Sequence, residues 1–123
     1  MESSFSIRRF EDLNVWKKAQ DLGEVIYSLT ATGELRTDFS LKDQIRRAVL
    51  SISSNVAEGQ GRFSKKEFRH YLSIANGSTY EVISLIHIAH KIGYLTLAET
   101  EDIIEKCSEI SRMLKGLRKS LEK

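Results

Sequence analysis

The sequence predicts an all-α protein, an antiparallel up-down-up-down four-helix bundle. Three observations carry that prediction. Four stretches repeat apolar residues at alternating spacings of three and four, the period of a helix buried along one side. No stretch shows the two-residue alternation of a half-buried strand. Proline, the strongest helix breaker, is absent from all 123 residues.

A chain of this length is expected to form one domain, residues 1–123, with a core of its own. An N-terminal arm, residues 1–11, carries Phe5, Ile7 and Phe10, which are expected to pack across the bundle. The first helix, residues 13–31, has the stripe Val15, Ala19, Leu22, Ile26, Leu29, widened by Trp16 and Val25. Asp12 reads as its N-cap, and Gly33 as the residue that ends it in the left-handed conformation. Thr32 to Phe39 is polar, without a helical stripe, and reads as a connection.

Ser40, with Asp43 three positions on, opens the second helix, residues 41–59. Its stripe is Leu41, Ile45, Ala48, Ile52, Asn55, Gly59, and Gly59 and Gly61 are read as its end. Ser64-Lys65-Lys66-Glu67 has the Ser-x-x-Glu form of a capping box and starts the third helix, residues 65–92. Phe68, Leu72, Ala75, Thr79, Val82, Ile86 and Ala89 make its stripe. A second edge, Ile74, Leu85, Ile88 and Ile92, carries the apolar arc past half the circumference. Gly93 stops this helix, and Thr96 with Glu99 boxes the start of the last, residues 97–121. That helix keeps the stripe Ile103, Cys107, Ile110, Leu114, Leu117, Leu121.

Composition and motifs exclude several function classes. The single cysteine, Cys107, rules out an intrachain disulfide and suits a reducing compartment. Runs free of charge reach only ten residues in Ala48 to Ala57 and eleven in His70 to Tyr80, against the roughly 20 of a membrane span. The N-terminus lacks the order of a signal peptide, so a cytoplasmic protein with no membrane partner is expected. Glu67-Phe68-Arg69-His70 is one Glu-x-x-His spacing, where a di-iron bundle needs two and further glutamates. His87 and His90 share a helix surface without a cysteine or carboxylate cluster beside them. No nucleophile–base pattern and no phosphate loop occurs. A protein that is not an enzyme is expected, with no catalytic residues, no metal and no cofactor.

What remains is surface. Net charge is only +2, but Arg36 to Leu72 holds eight basic and four acidic residues, while Thr96 to Glu109 holds five acids against Lys106. Arg46, Arg47, Arg62, Lys65, Lys66 and Arg69 are the candidate contacts to RNA or DNA phosphates. In the alternative reading these arginines form structural or intersubunit pairs in an interaction scaffold that presents its surface to another protein. Asn55 falls on an apolar stripe, and a buried amide must find partners. A network of Arg47, Asn55, Glu58 and Glu81 that sets pairing between helices or subunits is expected. On the opposite face of the same helix, Leu50, Ser53, Ser54 and Ala57 replace the charges usual on a monomer and suit the approach of a second copy.

Several motifs in order carry a family resemblance. They are Phe10-Glu11-Asp12-Leu13-Asn14-Val15-Trp16-Lys17-Lys18-Ala19, Gln44-Ile45-Arg46-Arg47-Ala48, and Ser54-Asn55-Val56-Ala57-Glu58-Gly59-Gln60-Gly61-Arg62. Phe68, Tyr71-Leu72, Ala75-Asn76-Gly77-Ser78, Glu81 and Ile92-Gly93-Tyr94-Leu95 extend them. Over residues 10–117 the chain resembles the bacterial four-helix bundle family encoded in 23S ribosomal RNA intervening sequences. It departs at Val56, where isoleucine is usual, and at Ser53, where proline is frequent. The resemblance implies a left-handed up-down bundle that assembles into a ring, a homopentamer, with no enzymatic activity known for the family. The accessory variability protein of diversity-generating retroelements is a more distant likeness, a basic pentamer that binds nucleic acid and a reverse transcriptase. By that analogy of fold, nucleic-acid binding is implied here as well.

Overall fold

Among the described residues the chain forms four α-helices: α1 (Asn14–Thr30), α2 (Phe39–Gln60), α3 (Lys65–Lys91) and α4 (Leu97–Ser120). Short 3-10 turns at Phe10–Asp12 and Gly33–Arg36 precede α1 and α2. The computed structural model describes residues 9–122, so Phe5 and Ile7 of the expected arm lie outside the described residues. Phe10 lies inside them and packs edge-on against Trp16, ring centroids 5.3 Å apart.

Cross-helix bonds fix the antiparallel register. Tyr94, just past α3, donates to the Asp38 carboxylate just before α2 at 3.0 Å. Midway along the same seam Ser78 donates to Ser51 at 2.8 Å, and at the far end Gly59 lies against Phe68 and Tyr71. Ser111 donates to Asn76 at 2.7 Å between α3 and α4, and Gln20 donates to Ser53 at 3.1 Å between α1 and α2. Lys18 and Glu109 close the circle from α1 to α4 with an exposed ion pair of 3.6 Å, a contact worth under ~1 kcal/mol.

The core follows the apolar stripes. Leu22 and Ile26 of α1, Ile45 and Ile52 of α2, Leu72 and Ile86 of α3, and Ile103, Ile110 and Leu114 of α4 are all fully buried. Cys107 belongs to the same core, and burial pushes its thiol up to about 12, so it is a neutral packing group at physiological pH.

Three helix ends and the connection after α1 depart from the sequence reading. Asp12 sits in the 3-10 turn and Leu13 takes the N-cap position of α1, without a side-chain cap. Asp38 rather than Ser40 caps α2, accepting from the Leu41 N–H at 3.2 Å while its other oxygen holds Tyr94. That second bond raises the Tyr94 phenol above its ordinary range, because the neighbouring carboxylate opposes a phenolate. Gly59 lies inside α2 rather than ending it, and Gly61 caps the helix at φ −75° without turning left-handed. The supposedly polar connection after α1 buries Leu35 in the core. At α4 the Thr96–Glu99 box forms with both bonds, and at α3 Ser64 accepts from the Glu67 N–H at 3.2 Å.

Candidate interaction surface

The six basic candidates do not gather at one rim. Arg46 straps α2 to the end of α1: its Nε donates to Thr30 Oγ1 at 2.8 Å and its Nη2 to the Tyr27 carbonyl at 3.3 Å. The guanidinium also lies 4.1 Å from the centre of the Tyr27 ring, a cation–π geometry. Arg62 donates to the Tyr71 hydroxyl at 2.6 Å and pairs with Glu58 at 3.4 Å, bracing the corner between α2 and α3. Arg69 donates to the Leu121 carbonyl at 2.8 Å, satisfying one of the orphan acceptors at the end of α4. Lys65 is engaged too. Arg47 and Lys66 are exposed and make no hydrogen bond or ion pair among the described residues.

Arg46→Ala is expected to lower stability by about 1–3 kcal/mol, because two hydrogen bonds and the ring contact go together. Arg46→Lys recovers only part of this, since an ammonium cannot reproduce the planar fork. Urea denaturation of the two variants measures both effects.

Within the chain, among the described residues, the expected Arg47–Asn55–Glu58–Glu81 network does not form. Asn55 Nδ2 donates one turn back, to the Ser51 carbonyl at 2.7 Å and the Ser51 hydroxyl at 2.9 Å. Ser51 in turn accepts from Ser78, so the polar chain across the α2–α3 seam is Asn55–Ser51–Ser78. The amide finds a partner four residues back on its own helix before any side chain of α3 can reach it. Arg47 and Glu81 stay exposed, and Glu58 pairs with Arg62 instead.

The face expected to meet a second copy divides in two. Ser53 is buried, accepting from Gln20 inside the α1–α2 seam, and reaches the surface only where it lines the groove between those helices. Leu50 and Ser54 are exposed and Ala57 half-buried. Leu50 borders a groove of about 260 Å³ between α1 and α2, lined also by Ala19, Gly23, Glu24, Tyr27 and Val49.

On the other flank of α2, Ile74, Ile88 and Ile92 stand out from α3 on the side of the Ser51–Ser78 seam, while Leu85 among them is buried. Phe63 is 99% exposed at the α2–α3 corner with φ +62°. Nothing in the sequence marks it, because a single aromatic in a turn belongs to no stripe.

Among the described residues no group of three or more His, Cys, Asp and Glu is placed to hold a metal. No helix among them is long and apolar enough to cross a membrane.

Similarity to known proteins agrees with the bundle. A solved structure from Bacteroides thetaiotaomicron, a protein of unknown function from the S23 ribosomal protein family, matches with a TM-score of 0.77 and 24% identity. The match covers 85% of this chain and 98% of that one, and at such identity it speaks for the fold alone. No curated protein matches the chain. The family described as 23S rRNA-intervening sequence protein matches residues 11–116, a span that takes in α1, α2, α3 and most of α4. The chain belongs to the 23S rRNA-intervening sequence protein family.

Proposed function

We propose that this protein is a non-enzymatic, homo-oligomeric bundle that works as a protein–protein interaction scaffold, its arginines serving the bundle more than a ligand. The observation that carries this reading is the engagement of Arg46, Arg62 and Arg69 within the chain while apolar side chains stand outside on both flanks of α2. The two outer patches are unlike: the groove beside Leu50 on one flank, and the edge of Ile74, Ile88 and Ile92 on the other. Unlike patches on one subunit suit head-to-tail contact, which closes into a ring when the rotation permits. A ring of five is the size the family resemblance implies.

A second reading, RNA or DNA binding, keeps support from Arg47 and Lys66, which are exposed and uncommitted among the described residues. Light scattering at low and high salt, with and without RNA, separates the two. The scaffold reading expects an assembled particle without RNA, its mass little changed by salt. A monomer at every concentration overturns it. Complex formation that falls steeply with salt establishes the second reading, since phosphate contacts release counterions.

A further inference from the structure

We propose that neighbouring subunits join by a knob and a groove, the Phe63 ring of one copy seated between α1 and α2 of the next. This rests on the assembly reading above and names Phe63, rather than the isoleucine edge, as the part that enters the groove.

Phe63 is an unusual side chain to leave in water. It is almost wholly exposed, and its backbone occupies the left-handed region that residues with a Cβ seldom adopt. No described residue uses the ring, yet the corner that presents it is firmly built. The Arg62 N–H bonds to the Gly59 carbonyl at 3.2 Å, the Arg62 side chain holds Tyr71, and Ser64 caps α3 immediately after. A rigid mount spares the ordering cost that a flexible loop would meet on docking.

The groove offers a matching space. Its volume is about 260 Å³; Ala19, Gly23, Tyr27, Val49 and Leu50 give it carbon walls, and Gln20, Glu24 and Ser53 are its polar lining. An apolar cavity of roughly 150 Å³ is enough to hold benzene. Part of the space exists because Gly23 has no side chain, and a Cβ built there would meet nothing within 4 Å.

A chain cannot fill its own groove with its own Phe63. Leu50 lies ten residues before the end of α2, about 15 Å along the helix at ~1.5 Å per residue, and Phe63 stands beyond that end. The occupant is therefore the Phe63 of a second copy, and the contact is head-to-tail. Charge agrees with this pairing. Lys66, the uncommitted cation beside the knob, and Glu24, which lines the groove, are both exposed and without a bonded partner among the described residues. An aromatic ring among cations could instead stack on a nucleobase, and the test separates that outcome.

The test uses the full chain, the variants Phe63→Ala and Gly23→Leu, and an equimolar mixture of the two variants, followed by light scattering over a range of concentrations. Phe63→Ala removes the knob and keeps the groove. Gly23→Leu fills the groove and keeps the knob, and Leu50→Gln replaces it if that variant fails to fold. Circular dichroism checks that each variant retains its helices. Each variant alone is expected to associate at least tenfold more weakly than the unaltered chain. The mixture is expected to form one-to-one dimers, because one intact Phe63 meets one intact groove.

An unaltered chain that stays monomeric overturns both this pairing and the assembly reading. Unchanged assembly of Phe63→Ala overturns the pairing alone and leaves the assembly reading standing. Two weakened variants that do not pair in the mixture also overturn it. Loss of RNA binding by Phe63→Ala with assembly intact assigns the ring to base stacking instead.

Discussion

Leu35→Ala is expected to lower the stability of the bundle by about 2–5 kcal/mol, the range for deleting a fully buried leucine side chain. Leu35 is 1% exposed although it lies in a 3-10 turn of four residues between α1 and α2. Gly33 enters the turn at φ +63°, and the Asp38 N–H closes it on the Glu34 carbonyl at 3.3 Å. Lys42 reaches back from α2 to the Arg36 carbonyl at 3.1 Å. These bonds fix the turn over the ends of α1 and α2, so the space left by truncation cannot collapse easily. Natural domains have only about 5–15 kcal/mol to lose. A urea titration reads the effect as a lower midpoint with an unchanged slope. A stability within ~0.5 kcal/mol of the unaltered chain shows that the turn closes over the cavity or contributes little.

The position of Leu35 shows where sequence reasoning stops. Ile45, Ile52, Ile86 and Ile103 were legible as core because each recurs with its neighbours at helical spacing, and every one is buried. Leu35 has no such neighbours, and one apolar residue in a polar stretch carries no period. Ser40 and Asp38 are both good N-caps, and the choice between them is settled by the tertiary contact from Tyr94. Charge was legible as composition but not as geometry. Arg46 finds its partners, Tyr27 and Thr30, on another helix, and no local pattern announces that pairing. Asn55 erred in the other direction: a cross-helix partner was expected, and Ser51 on its own helix answers it. The candidate surface was thus readable as a set of exposed faces, while the engagement of its arginines depended on packing.

Gly59→Ala is expected to destabilise the fold by about 1–3 kcal/mol, although alanine is the better helix former by about 1 kcal/mol. The reason lies across the α2–α3 seam. A Cβ built on Gly59 would stand 2.6 Å from the Tyr71 Cβ and 3.1 Å from Phe68 Cδ1. The first of these atoms is anchored directly to the α3 backbone, so relief requires the two helices to part. Parting them would also strain the Arg62–Tyr71 bond and shift the mount of Phe63. Gly116→Ala in α4 is the matched control. It lies in a helix with nothing within 4 Å of the added methyl, so the same substitution there is expected to stabilise by about 0.5–1 kcal/mol. Opposite signs for one chemical change isolate the close approach of α2 and α3 from helix propensity. If Gly59→Ala stabilises as Gly116→Ala does, the two helices do not approach as closely in solution as that contact requires.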